Sequence, residues 1–199
     1  MKILAFTDLH ADKKLLHDLV LRAKKKDVDL VVCCGDFTIF GRGMRLVLEG
    51  LESIGKPIYL IPGNHEEKKG LLEQSLEGFS HCHSLHEKDA VVGDYIFLGY
   101  GGGGFAQEDA AFRAIARKWY GKYNGKKIVF ITHGPPYGTK LDLLPMGHVG
   151  HKDYHKFIER IKPKVAISGH LHETVGAVDV IGKTKLVNPG WDGMVIELK

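Results

Sequence analysis

An α/β domain is what this sequence predicts, and three observations carry that prediction. Short apolar runs rich in Val, Ile and Leu stand at residues 2–7, 28–35, 57–63, 127–132 and 165–169. Segments of helical periodicity separate several of them, which is the pattern of parallel strands joined by crossover helices. Each run also ends in residues able to bind a metal or move a proton: Asp8 and His10, Asp36, Asn64 and His65, His133, and finally His170 and His172. Sheets of this kind bind ligands beyond the carboxyl ends of their strands, so the five endings are expected to converge on one site.

The elements follow in order. After the first strand, Leu15, Leu16, Leu19, Val20 and Ala23 recur at helical spacing and predict a helix over 13–26. With the second strand this makes a parallel βαβ unit. The pattern repeats as a helix over 44–54, closed by Gly55, and a third strand opening at Pro57. A shorter helix over 71–76 stops before Gly78. Between apolar segments, Gly93 and Asp94 signal a hairpin over 90–98, and antiparallel strands are expected to begin there. Helices are predicted over 106–120 and over 152–161, the second ending before Pro163. The closing segments 175–180, 185–187 and 194–198 read as short strands divided by Gly and Asn-Pro-Gly turns. With no internal repeat or linker, residues 1–199 are expected to form one domain.

Composition narrows the function. A chain of 199 residues that is 44% hydrophobic can build one well-cored domain. The net charge of +4 is spread over helix faces such as Lys24, Lys25 and Lys26, which argues against nucleic acid as a partner. No apolar run approaches the roughly 20 residues needed to span a bilayer, so no membrane partner is expected. The first strand meets Asp8 and His10 too soon for a signal-peptide core. Three cysteines, Cys33, Cys34 and Cys82, fit a reducing compartment, and the expected location is cytoplasmic. A homo-oligomer is compatible with the small size.

The strand endings have the chemistry of a metal centre. Asp8 and His10 lie two residues apart, where extended residues point the same way. Gly35 before Asp36 allows a close backbone approach or an unusual dihedral, and the two oxygens of Asp36 could bridge two cations. Carboxylate, amide and imidazole donors without thiolate suit Mn, Fe, Zn, Co or Ni. Seven candidates, Asp8, His10, Asp36, Asn64, His133, His170 and His172, are too many for one tetrahedral ion and suit two divalent ions, with Mn the first choice.

Taken in order, Asp8-x-His10, Gly35-Asp36, Gly63-Asn64-His65-Glu66, His133 and Gly169-His170-x-His172 cover nearly the whole chain. In this the sequence resembles the calcineurin-like metallophosphoesterase family. The resemblance implies a two-sheet β-sandwich flanked by helices, a four-layer αββα architecture. It implies that Asp8, His10, Asp36 and His172 hold one metal, and Asp36, Asn64, His133 and His170 the other. His65 would stay unligated as the catalytic residue beside a small phosphate-ester substrate, which a metal-bridging hydroxide attacks at phosphorus.

The segment from Gly35 to Gly43 departs from the G-D-x-x-D-R-G pattern of related phosphoprotein phosphatases, and Arg42 is displaced in it. Phosphodiesters are therefore favoured over monoesters, as in small prokaryotic phosphodiesterases that this chain resembles. A binding scaffold like the retromer subunit of this fold is opposed by the complete ligand set. A nuclease is opposed by the short chain and the lack of a basic stripe. The loop 140–151 follows a ligand-bearing strand and should overhang the crevice, which makes His148 the candidate substrate contact, with His151 beside it. Glu66 is expected to orient a neighbour or cap a helix. The glycines at 99–104 read as a flexible turn, the His81-Cys82-His83 segment with His86 as surface, and Trp119, Trp191, Tyr100 and Phe105 as core or rim aromatics.

Overall fold

The computed structural model describes residues 1–199. The first half runs β1 (Lys2–Phe6), α1 (Lys13–Ala23), β2 (Leu30–Cys33), α2 (Met44–Glu52), β3 (Ile58–Leu60), α3 (Leu71–Ser75) and β4 (Cys82–Ser84). Next come β5 (Lys88–Val92), β6 (Tyr95–Tyr100), α4 (Ala110–Tyr123), β7 (Lys127–Thr132), β8 (Leu143–Leu144), β9 (Gly147–His148), α5 (Lys152–Ile161) and β10 (Val165–Ile167). A 3₁₀ turn at His172–Thr174 then leads to β11 (Val178–Ile181), β12 (Thr184–Val187) and β13 (Met194–Glu197).

Two sheets result. One has the order β13-β1-β2-β3-β4, parallel except for β13. The other has the order β11-β12-β10-β7-β6-β5, with four parallel strands between the antiparallel edges β11 and β5. The strands that carry the motifs thus belong to both sheets, β1, β2 and β3 to one and β7 and β10 to the other. The hairpin at Gly93 and Asp94 forms, and antiparallel pairing returns at β8-β9, β11-β12 and β13-β1, but β6, β7, β10 and β12 between them pair parallel. α4 carries the chain back from β6 to a parallel β7, as a crossover helix must. The edge strand β4 and the two-residue strands β8 and β9 are too short to show a period in sequence.

The pleat explains the layers. Leu4, Phe6, Val31 and Cys33 face α1 and α2 and pack with Leu19, Val47, Leu48 and Leu51. Their neighbours Ile3, Ala5, Leu30 and Val32 turn the other way, against Val129, Ile131, Val165 and Ile167 of the second sheet. On the far side, Ile128, Phe130 and Ala166 meet Phe112, Trp119, Tyr154 and Phe157 of α4 and α5. The order is helix, sheet, sheet, helix, and both faces of each central strand are buried, which is why those strands read as unbroken apolar runs. Asp12 caps α1 by accepting from the Leu15 N–H at 2.9 Å. α4 begins at Ala110 and not at 106, because Asp109 is its cap and accepts from Ala111 and Phe112. No helix is long and apolar enough to cross a membrane.

Candidate metal centre

The ligand-bearing residues leave their strands through left-handed backbone. Asp8, His10, Asp36 and His170 have φ of 53°, 48°, 50° and 70°, a region that non-glycine residues rarely adopt and that clusters at functional sites. The turns hold one another: Asp8 N–H donates to Gly35 O at 3.0 Å, His10 N–H to Asp36 O at 3.0 Å, and Ala11 N–H to Phe37 O at 2.9 Å. Gly35 meets both sequence expectations. Its φ is 99°, and a Cβ there would lie 2.6 Å from Gly63 N and 2.7 Å from His133 Nδ1.

Hydrogen bonds aim the donor atoms. Asp8 Oδ2 accepts from Thr7 Oγ1 at 2.7 Å and from His170 N–H at 2.9 Å. Its Oδ1 is buried without a partner, 3.6 Å from His172 Nε2. Asp36 Oδ1 accepts from the His65 N–H at 2.9 Å, and Oδ2 lies 3.4 Å from His133 Nε2. Burial alone would raise the Asp36 carboxyl, but His133 and the His65 backbone hold it down to about 2.

His133 is fully buried, and its Nδ1–H donates to Cys34 O at 2.8 Å. That leaves Nε2 facing Asn64 Oδ1 at 3.0 Å and Asp36 Oδ2 at 3.4 Å. Lone pairs on all three atoms converge, and only a shared positive charge, a proton or a metal, makes that arrangement favourable. Burial opposes charge on His133, yet Asp36 outweighs it and the imidazole pKa is raised. Burial and the neighbouring His133 push His170 down to about 4, and its buried Nε2 has no partner.

Asp8 Oδ1 and His170 Nε2 are therefore acceptors placed inside the protein with nothing to accept. A group left so is costly unless a ligand satisfies it, and both lie in the expected ligand set. The donor atoms of Asp8, His10 and His172 lie within 4.8 Å of one another, as do those of Asp36, His133 and His170, with Asn64 beside the second trio. Asp36 also groups with His10 and His65, which places it between the two trios. The donor types and their grouping fit divalent cations, which the Asp8 and Asp36 trios would hold.

His65 sits at the edge of the cluster. Its Nδ1 is 3.2 Å from Thr38 O, its Nε2 is 3.9 Å from Asp36 Oδ2, and its ring meets His10 edge-on with centroids 4.7 Å apart. Glu66, expected only to orient a neighbour or cap a helix, is buried and accepts from the N–H groups of Asp36, Thr38 and Gly63 and from the Thr38 hydroxyl. It is a brace between two ligand turns, and its position one residue after His65 was the sole signal for it.

A cavity of about 270 Å³ opens over the cluster, lined also by Phe105, Leu144 and Glu173. The loop 140–151 contributes Leu144 to that lining and not His148, whose Nδ1 lies 2.9 Å from Asp142 Oδ1. His151 is buried and stacks on Tyr154 at 3.8 Å, packed toward the α4 and α5 layer. The glycine turn spends its N–H groups on protein: Gly101 on His86, Gly102 on Pro62 and Gly103 on Glu67. Phe105 and Trp191 rest beside His170 and His172, whereas Trp119 and Tyr100 are buried.

The model of the calcineurin-like phosphoesterase family matches residues 1–174. An uncharacterised protein of Methanocaldococcus jannaschii is 32% identical over 95% of this chain and 88% of its own length. A probable glycerophosphodiester phosphodiesterase of Arcobacter nitrofigilis is 23% identical over 83% of this chain, which spans 64% of that relative. Among solved structures, a Thermus thermophilus protein superposes with a TM-score of 0.77 at 16% identity, covering 95% of this chain and 88% of that one. A structure described as a novel archaeal phosphodiesterase gives 0.57 at 17% identity, covering 96% and 84%.

Proposed function

Because the chain belongs to the calcineurin-like phosphoesterase family, we propose that it hydrolyses small phosphodiesters at two divalent metals held by Asp8, His10, Asp36, Asn64, His133, His170 and His172. The observation that carries this is the pair of orphaned buried acceptors, Asp8 Oδ1 and His170 Nε2, on either side of Asp36. When bound, the metals supply Lewis acidity at the phosphoryl oxygens and hydroxide at neutral pH. Mn is our first assignment, and Fe, Zn, Co and Ni suit the same donors.

The chain's own groups complete the reaction. Asp8 and Asp36 are the two carboxylates among the seven donors, and the Asn64 amide and the imidazoles add no negative charge, so a phosphate anion can approach. His65 donates its Nδ1–H to Thr38 O, which orients the ring and leaves Nε2 toward the cavity. With Nε2 protonated as well, the imidazolium can deliver that proton to the departing ester oxygen and return to the neutral Nδ1–H ring, a role typically worth about 10² to 10⁴ in rate.

Diesters are favoured by charge. No Lys or Arg lines the cavity, and Glu173 stands at its rim, so a singly charged diester meets less repulsion than a dianionic monoester. Arg42 is exposed in a turn and does not line the cavity. The relatives named for phosphodiesterase activity support the same substrate class. A cytoplasmic location accompanies this reading, given three buried free cysteines.

The test is hydrolysis of bis-p-nitrophenyl phosphate and p-nitrophenyl phosphate by metal-stripped protein restored with Mn²⁺, beside Asp36→Asn. Faster diester cleavage that the substitution abolishes is expected. Faster monoester cleavage refutes the diester preference, and no cleavage of either ester with two metals bound refutes the enzymatic reading.

A further inference from the structure

Two aromatic side chains beside the metal cluster have no structural reason to be where they are. The sequence holds nine phenylalanines, and of these only Phe40 and Phe105 are exposed, at 73% and 64%. Both lean on histidines of the cluster. The Phe40 ring lies parallel to His65, with centroids 4.0 Å apart and planes 15° apart. Phe105 meets His170 edge-on at 4.5 Å and lines the cavity.

Phe40 is also in the wrong backbone for its type. Ile39 and Arg42 pair across a two-residue turn, each N–H donating to the other's carbonyl at 3.1 and 3.0 Å. The central residues Phe40 and Gly41 have φ of 50° and 81°. Such a mirror-image turn selects Asn, Asp or Gly at its first central position, and a bulky residue there carries backbone strain. Local structure therefore argues against phenylalanine, and burial does not reward it. What the turn achieves is to hold one ring face on His65, a residue of the cavity lining, and leave the Phe40 side chain largely open to solvent. Strain retained beside reactive groups points to a role in binding.

We propose that Phe40 and Phe105 are specificity residues that receive a flat aromatic ester arm, so that the substrate is a singly charged phosphodiester with at least one aryl or nucleobase-bearing group. The proposal rests on the phosphodiesterase reading above and adds the chemistry of the arm. An open phenyl face adds stacking to the ordinary burial of apolar area. The lack of Lys and Arg in the cavity lining makes ring contact, and not additional phosphate contact, the means of telling one diester from another.

Calorimetric titration of the Mn²⁺-loaded protein with diphenyl, dibutyl and dimethyl phosphate tests the arm without requiring turnover. Diphenyl phosphate is expected to bind about tenfold or more tightly than dimethyl phosphate, a factor typical of one aromatic contact, and more tightly than dibutyl phosphate. In Phe40→Gly and in Phe105→Ala the diphenyl-to-dimethyl ratio should fall toward one. Because glycine relieves the turn, Phe40→Gly should keep or raise the unfolding temperature while losing the ratio. An unchanged ratio with a lower unfolding temperature would make Phe40 structural and overturn the proposal.

Equal affinity for diphenyl and dimethyl phosphate, or for diphenyl and dibutyl phosphate, also overturns it. A dinucleoside monophosphate separates the two sources of a ring. Binding tighter than diphenyl phosphate assigns a nucleobase, and weaker binding assigns a simple aryl group. Hydrolysis of bis-p-nitrophenyl phosphate, followed separately, reports on the phosphodiesterase reading, so equal affinities alongside diester hydrolysis defeat the ring contact alone.

Discussion

Glu66→Gln is the sharpest test of how the metal turns are held. The wild-type side chain is 2% exposed. Its Oε2 accepts from the Asp36 and Gly63 N–H groups, each at 2.9 Å, and its Oε1 from the Thr38 N–H at 2.9 Å and the Thr38 hydroxyl at 2.5 Å. Four donors thus converge on two acceptor oxygens. An amide has only one such oxygen. Turned toward Asp36 and Gly63, it leaves its NH₂ against the Thr38 N–H, and turned the other way it faces two N–H groups with a donor. The better orientation orphans one buried N–H, about 1–3 kcal/mol, and replaces charge-assisted bonds by neutral ones.

Burial already pushes the Glu66 carboxyl pKa up, so loss of the charge returns part of the desolvation cost. A net loss of about 2–3 kcal/mol is the expected result, or about 5–10 °C in Tm for a chain of this size. The damage should reach the metals, because the turns released are those of Asp36 and of Gly63-Asn64. Removing a support of this kind typically costs about 10- to 100-fold in metal affinity. Thermal unfolding in chelator measures the first effect, and metal titration of the stripped protein the second. Thr38→Val, which removes only the hydroxyl, should lose about 1 kcal/mol. If Glu66→Gln unfolds with wild-type Tm and binds metal normally, the brace is not what positions Asp36.

Three further outcomes follow from the same geometry. His65→Ala should retain its metals yet lose about 10² to 10⁴ in turnover, or about 3–5 kcal/mol of barrier, least for nitrophenolate leaving groups; metal loss equal to that of Asp36→Ala would make His65 a ligand. At Gly169 a Cβ would collide with Thr7 Oγ1 and lie 2.6 Å from Asp8 Oδ2, so Gly169→Ala should displace Asp8, lower metal stoichiometry and destabilise by about 1–3 kcal/mol; normal stoichiometry by elemental analysis would contradict this. In chelator, Asp36, depressed from 3.8 to about 2, should contribute about 2 kcal/mol that is present above pH 3.8 and lost as the pH falls to 2. His133, whose pKa is raised, contributes stability below pH 6.5 that is lost as pH rises through its folded value. Denaturant unfolding against pH should therefore show both flanks, and Asp36→Asn should flatten them.

How much was legible in the sequence depended on whether a residue's job had a period or a pattern. The central strands were readable because both faces are buried, Leu4 and Phe6 toward helices and Ile3 and Ala5 toward the other sheet. The motif residues stood out because the donor types that metal chemistry favours recur at strand ends, and the structure brings them together. Glu66 was ambiguous, since its partners are backbone groups that leave no trace in composition. Phe40 was invisible as a feature because its oddity is a dihedral. The loop carrying His148 was placed correctly over the crevice, but a two-residue hairpin decides which side faces in. There Leu144 lines the cavity while His148 turns to Asp142.

The division of the ligand set between two sheets has a physical consequence. Asp8, Asp36 and Asn64 follow strands of one sheet, and His133 and His170 follow strands of the other. The spacing of the donor atoms is therefore fixed by how the sheets pack, through Ile3, Ala5 and Val32 against Val129, Ile131 and Ile167. A close-packed interior resists compression and transmits small shifts. Cross-sheet hydrogen bonds, His133 Nδ1 to Cys34 O at 2.8 Å and His170 N to Asp8 Oδ2 at 2.9 Å, then lock the residual freedom. The buried Asp8 Oδ1 and His170 Nε2, neither with a hydrogen-bond partner, lie on loops from opposite sides of this seam. Preorganisation of the proposed metal centre is thus a property of the sandwich interior as much as of the donor side chains themselves.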